Sequence, residues 1–233
     1  MQHFFVDHDI SGSHLAISDG DLLHQMKNVL RVRVGEEFIF LDNKGIKAKA
    51  VVESVDKKAI VVKLSEKETC SYPNRHVRLY IAISKKPATF ELIIQKATEL
   101  GVTDIIPLVT SRCQVKEIRN QKRLNFIIKE AAEQCERSFL PIFHEVISFD
   151  KLITSPPSGV ILTGDGRIYD KKLSEVKIGE EENVNLVIGP EGGLTDEELN
   201  SIKTAGGTIF ILGKNILRME TAAISAMSLI LFT

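Results

Sequence analysis

Three short loops hold the residues whose types could do chemistry. They are Leu162–Thr163–Gly164–Asp165–Gly166, Ile188–Gly189–Pro190–Glu191–Gly192–Gly193 and Leu212–Gly213–Lys214–Asn215–Ile216–Leu217–Arg218. Each contains glycine and each follows an apolar run that reads as a strand. Glycine lets backbone approach a ligand closely and adopts positive φ at little cost. In an open parallel sheet, ligands bind at the carboxyl ends of strands. One such loop is usually a plain turn; three in one half of the chain point to a small-molecule pocket. Its polar groups would be mostly backbone, and Ile188, Leu194, Leu212, Ile216 and Leu217 would supply apolar walls. Arg218, Glu220 and Thr221 stand just beyond the third loop, where a last helix begins. An Arg and a Glu there serve either helix-end electrostatics or a site.

Several chemistries lack their residues. There is no GxxxxGK[ST] phosphate loop and no GxGxxG followed by an acid about 20 residues on. No HExxH, GxSxG or EF-hand pattern is present, so metal catalysis and acyl-enzyme chemistry are not indicated. Cys70, Cys113 and Cys135 are odd in number and far apart, which gives neither a disulfide framework nor a zinc knuckle. The six histidines, His3, His8, His14, His24, His76 and His144, show no tight ligand spacing, so no metal is expected.

The elements that must position these loops follow from composition and period. The chain has 233 residues, with 30 Lys+Arg against 31 Asp+Glu and 43% hydrophobic residues. This excludes a disordered chain, a disulfide scaffold and a polycation. Any nucleic acid must therefore be held by a local patch. The N-terminus lacks a signal pattern, and the apolar stretch Ala222 to Phe232 is too short to span a bilayer, so a soluble cytoplasmic protein is expected.

The first 70 or so residues read as β: Phe38–Asp42, Ile46–Val55 and Ala59–Ser65, close enough to imply antiparallel hairpins in a small barrel or sandwich. Leu22 to Leu30 reads as one short helix. The pattern changes near residues 70–76. Strands at Val77–Ile83, Asp104–Val109, Val160–Thr163, Val184–Ile188 and Thr208–Leu212 then alternate with helices, which implies a mostly parallel α/β sheet. Thr195 and Glu198 form a capping box that opens one of those helices. The last helix is apolar on nearly all sides and predicts burial in a core or a subunit interface.

Two basic segments are candidates for phosphate. Residues 111–123 carry Arg112, Lys116, Arg119, Lys122 and Arg123 against the single acid Glu117. Arg31 and Arg33 alternate after Leu30 and so point to one face of an extended segment. A solvated helix face and an ordinary exposed rim are the alternatives.

At this point the residues become recognisable. LVIGPEGGLTDEEL (Leu186–Leu199) together with LGKNILRMETAAISA (Leu212–Ala226) resembles the RsmE family, small-subunit ribosomal RNA uridine N3-methyltransferases of the SPOUT class. HQMKNVLRVRVGEE (His24–Glu37), IIQKATELGV (Ile93–Val102) and EAAEQCERSFLP (Glu130–Pro141) match as well, in the same order. The resemblance implies an α/β fold: a PUA-like β-barrel over residues 1–72, then a SPOUT methyltransferase domain over 73–233 with a C-terminal trefoil knot. It also implies a homodimer, S-adenosyl-L-methionine as methyl donor, and 16S rRNA in the decoding region of the 30S subunit as substrate.

Carried over by motif, the cofactor residues are Leu162, Thr163, Gly164, Ile188, Gly189, Pro190, Glu191, Gly192, Leu212, Gly213, Ile216, Leu217 and Met219. Arg218, Glu220 and Thr221 become catalytic candidates. Arg218 would stabilise the uracil anion or form a structural ion pair with Glu220 or Glu191. Glu220 would act as base or orient Arg218, and Thr221 would bond the base or cap the helix. Arg31, Arg33, Arg112, Lys116 and Arg137 become RNA contacts. Two departures stand out: Ser138 and Phe139 follow Arg137 where relatives often carry a second basic residue, and His3 replaces a common Arg. A methyltransferase for another RNA nucleotide and a non-catalytic ribosome assembly factor are the competing readings.

Overall fold

Alternating apolar residues in the first part of the chain fold into one five-stranded sheet. In the computed structural model, which describes residues 1–18, 20–179 and 182–232, its strands are β1 (Gln2–Phe5), β2 (His14–Ile17), β3 (Glu37–Leu41), β4 (Ile46–Val55) and β5 (Ile60–Thr69). Their order is β1-β3-β4-β5-β2. In the β3–β4 turn Asp42 accepts hydrogen bonds from the Lys44 and Ile46 amides at 2.8 and 2.9 Å, and Gly45 takes φ 116°. One pairing differs from the antiparallel expectation. β1 runs parallel to β3, so the chain must cross over between them. The expected helix from Leu22 to Leu30 is a short helix α1 (Gly20–His24) that widens into a π-helical turn at Gln25–Val29.

The chain packs as two compact units, one of residues 1–72 with 132–139 and one of residues 73–131 with 140–233. The short segment 132–139 thus completes the β-rich unit from far along the chain. Glu133 accepts a hydrogen bond from the Phe5 amide at 2.9 Å, and the Phe139 ring meets Tyr72 edge-on at 5.1 Å between centroids. Phe4, Ile10, Ile17, Met26, Phe40 and Ile60 fill the core of this unit.

The second unit is a parallel sheet between two helical layers. Its elements are β6 (Val77–Ala82), α2 (Pro87–Leu100), β7 (Asp104–Val109), α3 (Gln121–Gln134), β8 (Ile142–Phe143), β9 (Ile147–Ser148) and α4 (Phe149–Thr154). They continue with β10 (Val160–Gly164), β11 (Lys171–Lys172), β12 (Val184–Ile188), α5 (Asp196–Thr204), β13 (Thr208–Ile211) and α6 (Met219–Phe232). The order is β11-β13-β10-β12-β6-β7-β8, with β9 also pairing β7, and these pairs are parallel. Side chains alternate across a strand. Leu79 and Ile81 therefore pack with Ile93, Ile94, Ala223 and Met227 of α2 and α6. Tyr80 points the other way, with Ile106, Phe149 and Leu199 on the side of α4 and α5.

Pro87 opens α2 and Gly101, at φ 106°, closes it. The buried residues of α6, Met219, Ala223, Ala226, Met227 and Ile230, lie on one face, while Leu229 and Phe232 are exposed. Helix α6 is thus apolar beyond what its own unit covers. Cys113 is buried; Cys70 and Cys135 are half-buried and, like it, free. No described helix is long and apolar enough to cross a membrane. Strand β12 lies between β10 and β6, so the order reverses there, and the loops that leave these strands part to form a crevice.

Candidate active site

The crevice at the carboxyl ends of β6, β10, β12 and β13 is a cleft of about 580 Å³. That is within the ordinary range for a site holding a small molecule. All three glycine loops line it, through Gly164, Ile188, Gly189, Pro190, Glu191, Gly192, Leu212, Ile216, Leu217 and Met219. Three other expected residues do not. Leu162 is core, Thr163 spends its hydroxyl on the Val187 carbonyl at 2.9 Å across the sheet, and Gly213 is exposed outside the lining.

The loop after β12 is held from several sides. Its first residue, Gly189, has no room for a side chain: a Cβ there would sit 3.1 Å from the Leu194 amide nitrogen. Gly193 takes φ 72° and donates to the Pro190 carbonyl at 2.8 Å, closing a tight turn. Glu191 accepts from the Ser84 hydroxyl at 2.6 Å and from the Lys85 amide at 3.2 Å. Partial loss of solvent would raise the Glu191 carboxyl, but the bonds from Ser84 and from backbone amides outweigh it and hold it below the usual carboxylate range. Arg112 Nη1 donates to the Gly192 and Leu194 carbonyls at 2.8 and 2.9 Å. The capping box forms as its spacing predicts. Thr195 Oγ1 accepts from the Glu198 amide at 3.2 Å, and Glu198 accepts from the Thr195 amide at 2.9 Å. Glu198 is buried and its second oxygen accepts from the Ser111 amide at 2.8 Å.

The loop after β10 turns on Asp165, whose carboxylate accepts from the Arg167 and Ile168 amides at 2.8 and 2.9 Å. A Cβ on Gly164 would meet the Phe210 ring at 3.2 Å, and one on Gly166 would meet Ile216 at 3.3 Å. Backbone here is packed directly against its neighbours. The loop after β13 reaches over Gly166 with Ile216 but is exposed from Gly213 to Arg218.

Arg218 and Glu220 line the cleft; Thr221 is exposed and outside the lining. The Arg218 carbonyl accepts from the Ala222 amide at 2.8 Å and so starts α6. Its guanidinium forms no ion pair among the described residues, neither with Glu220 nor with Glu191, and Met219 beside it is buried. Arg112, expected on phosphate, lines the cleft instead of standing apart from it. Lys116 is exposed. Arg31 and Arg33 are exposed on either side of buried Val32, with Arg31 at φ 56°. Arg137 is half-buried in the β-rich unit, where burial pulls its guanidinium below the ordinary arginine value.

Residues that the sequence reading did not single out also belong here. Lys85, Lys86 and Thr89 line the cleft from the β6–α2 turn, and Ser84 anchors Glu191. This is a fourth strand-end loop. It contains no glycine, and its signal was the strand end followed by Pro87. Phe210 and Arg167 line it as well. The cleft thus offers apolar walls, backbone groups at close approach, and a rim of both charges: Lys85, Lys86, Arg167 and Arg218 against Asp165, Glu191 and Glu220. It suits a ligand with a flat apolar part and a charged end. The closeness of Gly189 and Gly164 to their neighbours shows a cradle made of backbone, which fits an adenosyl group read through its polar edge.

The chain matches the RNA methyltransferase domain family over residues 71–231 and the RNA methyltransferase PUA domain over residues 18–65. It is 31% identical to ribosomal RNA small subunit methyltransferase E of Bacillus subtilis, over 99% of this chain and 96% of that one. It is 30% identical to the enzyme of that name from Rickettsia conorii, over 93% of this chain and 88% of the other. Among solved structures it resembles a ribosomal RNA small subunit methyltransferase E from Neisseria gonorrhoeae bound to S-adenosyl methionine. The TM-score is 0.86 at 27% identity, covering 98% of this chain and 95% of the other.

Proposed function

The chain belongs to this RNA methyltransferase family, and from that premise we propose that it methylates N3 of a uridine in 16S rRNA on the 30S subunit, with S-adenosyl-L-methionine as donor. The observation that carries the reading is the cleft itself, built by the GPEGG and ILR loops with an uncommitted Arg218 at its mouth. When bound, the cofactor supplies an electrophilic methyl group. Gly164, Ile188, Gly189, Gly192, Leu212 and Leu217 hold it in this reading, through backbone and apolar contacts.

Uracil N3 carries a proton at neutral pH and is a poor nucleophile, so the site must favour the anion. Arg218 is suited to that. Its guanidinium stays charged and presents a planar fork to two oxygens flanking the nitrogen. Glu220, on the first turn of α6, orients Arg218 or accepts the N3 proton; Thr221, further out, bonds the entering base. Arg31, Arg33, Lys116 and Arg137 hold the RNA, and the target base leaves its stack to reach the cleft. The reading includes a trefoil knot in the C-terminal part and a homodimer. A second copy covers the apolar face of α6 that Leu229 and Phe232 leave exposed.

The test is transfer of labelled methyl from S-adenosylmethionine to 30S subunits from cells lacking this protein, followed by nucleoside analysis. One site of 3-methyluridine is the expected product. Another methylated nucleoside would move the target. No transfer to subunits or naked rRNA, with no cofactor binding by calorimetry, would overturn the reading in favour of a non-catalytic assembly factor.

A further inference from the structure

Arg112 begins the most basic stretch of the chain, and its charge alone would make it a phosphate contact. Its geometry says otherwise. Nη1 bonds two carbonyls, those of Gly192 and Leu194, which flank the left-handed Gly193. Its aliphatic arm lies over Gly192, where a Cβ would come 3.5 Å from Arg112 Cδ. The base of the side chain is itself fixed. The Cys113 amide donates to the Thr110 carbonyl at 3.1 Å, and Thr110 and Cys113 are both buried. The neighbouring Ser111 amide is tied to Glu198, the residue that caps the helix after the same loop. Arg112 also exerts a Coulombic pull on the exposed Glu197 carboxyl, after Glu197's own amide and the Thr195 hydroxyl, which hold it low more strongly.

We propose that Arg112 is a positioning residue for the cofactor loop: it draws the Gly192 and Leu194 carbonyls to one side and so fixes the backbone that faces the donor. This rests on the cofactor reading above. A carbonyl bonded by a guanidinium is a charge-assisted contact, stronger than a neutral one, and two from a single nitrogen fix direction as well as distance. Without them, the Gly192–Gly193 and Leu194–Thr195 peptides are held only through their N–H groups, by Pro190 and Glu198, and their carbonyls lose direction in a stretch where glycine imposes little of its own conformation. Lys116, exposed in the same segment with no ion pair among the described residues, is the contrasting case. It can contribute charge to RNA but, among the described residues, makes no hydrogen bond to the loop.

The two roles separate in two measurements on the full chain. The first is the Kd for S-adenosylmethionine without RNA, by calorimetry. The second is the slope of RNA affinity against salt, which reports the number of phosphates neutralised. Arg112→Ala is expected to raise the cofactor Kd about tenfold, the scale of one charge-assisted hydrogen bond, with the salt slope unchanged. Lys116→Ala is expected to do the reverse, leaving cofactor Kd alone and lowering the slope by about one. If Arg112→Ala does not fold, Arg112→Met decides, since it keeps the arm over Gly192 and removes the donors; the same rise in Kd is expected. A cofactor Kd equal to wild type in the folded variant overturns the assignment, whatever happens to the slope. Failure of the wild type to bind S-adenosylmethionine overturns the cofactor reading and this inference together.

Discussion

The loop after β12 and the loop after β13 face the same cleft, yet they are built on opposite principles. The first is tied by Ser84 and the Lys85 amide at Glu191, by Arg112 at two carbonyls, and by a capping box whose acid is buried. The second, from Gly213 to Leu217, has no hydrogen bond or ion pair of its own among the described residues, and Ile216 is 72% exposed. A loop braced in this way is pre-organised and loses little freedom when a ligand binds. A loop that exposes apolar side chains beside a cleft has its favourable contacts still to make. In the proposed reading the labour divides: the first loop fixes the donor's position, while the second adds apolar wall to the donor's seat and, through Arg218, answers to what enters.

The strongest challenge to that division is Arg218→Ala. Methyl transfer should fall about a hundredfold, the scale for losing one group that stabilises developing charge. Cofactor Kd should stay within about twofold, separating lost chemistry from lost binding. A large rise in Kd would instead make Arg218 itself part of the donor's seat. Next is Glu198→Ala, which strands the Thr195 and Ser111 amides and should cost about 1–3 kcal/mol in urea denaturation. Cofactor affinity should fall with stability, because the same acid joins both sides of the braced loop.

Ser84→Ala should cost less, raising cofactor Kd about threefold to tenfold. It also carries a pH signature. Glu191's folded pKa is depressed, so its stabilisation is present above the ordinary carboxylate value and is lost as pH falls through the folded one. Removing Ser84 returns that pKa toward the ordinary value. The stability gap between wild type and variant should be open at neutral pH and close in acid, below the carboxylate range. The smallest effect belongs to Ile216→Ser. Stability should stay within about 0.5 kcal/mol, as for other exposed positions, while cofactor Kd rises about threefold through loss of apolar wall. A clear drop in melting temperature would mean that the second loop is braced after all.

The same contrast explains what the sequence disclosed. The capping box at Thr195 and Glu198 was legible because its partners are three residues apart. The glycine loops were legible because each follows an apolar strand of the right length. The bracing was not. Ser84 reaches Glu191 across 107 positions and Arg112 reaches Gly192 across 80, and no local period encodes either. Arg112 was read by its charge, which suggests phosphate, while its partners are neutral carbonyls. Thr163 was read by its place in a loop, although the strand holds it. In the β-rich part, β1 and β2 are four residues each, too short to show a period, and β1 pairs parallel. That Leu124, Ile127, Ile128, Ala131, Ala132 and Cys135 share one helix face is clear from their spacing. Which core the helix's last turn joins is not, since periodicity says that a face is buried and not against what.

The segment at 132–139 has a consequence for how the protein is made. The β-rich unit takes Glu133 and Phe139 from a stretch that leaves the ribosome long after residue 72. At about 5–20 residues per second, the nascent sheet waits several seconds for its last pieces. During that interval the Phe5 amide has no Glu133 and Tyr72 has no Phe139. A fragment ending at residue 72 should emerge as a sticky, incomplete sheet, and a gene rearrangement that moves residues 1–72 alone would move an unfinished unit.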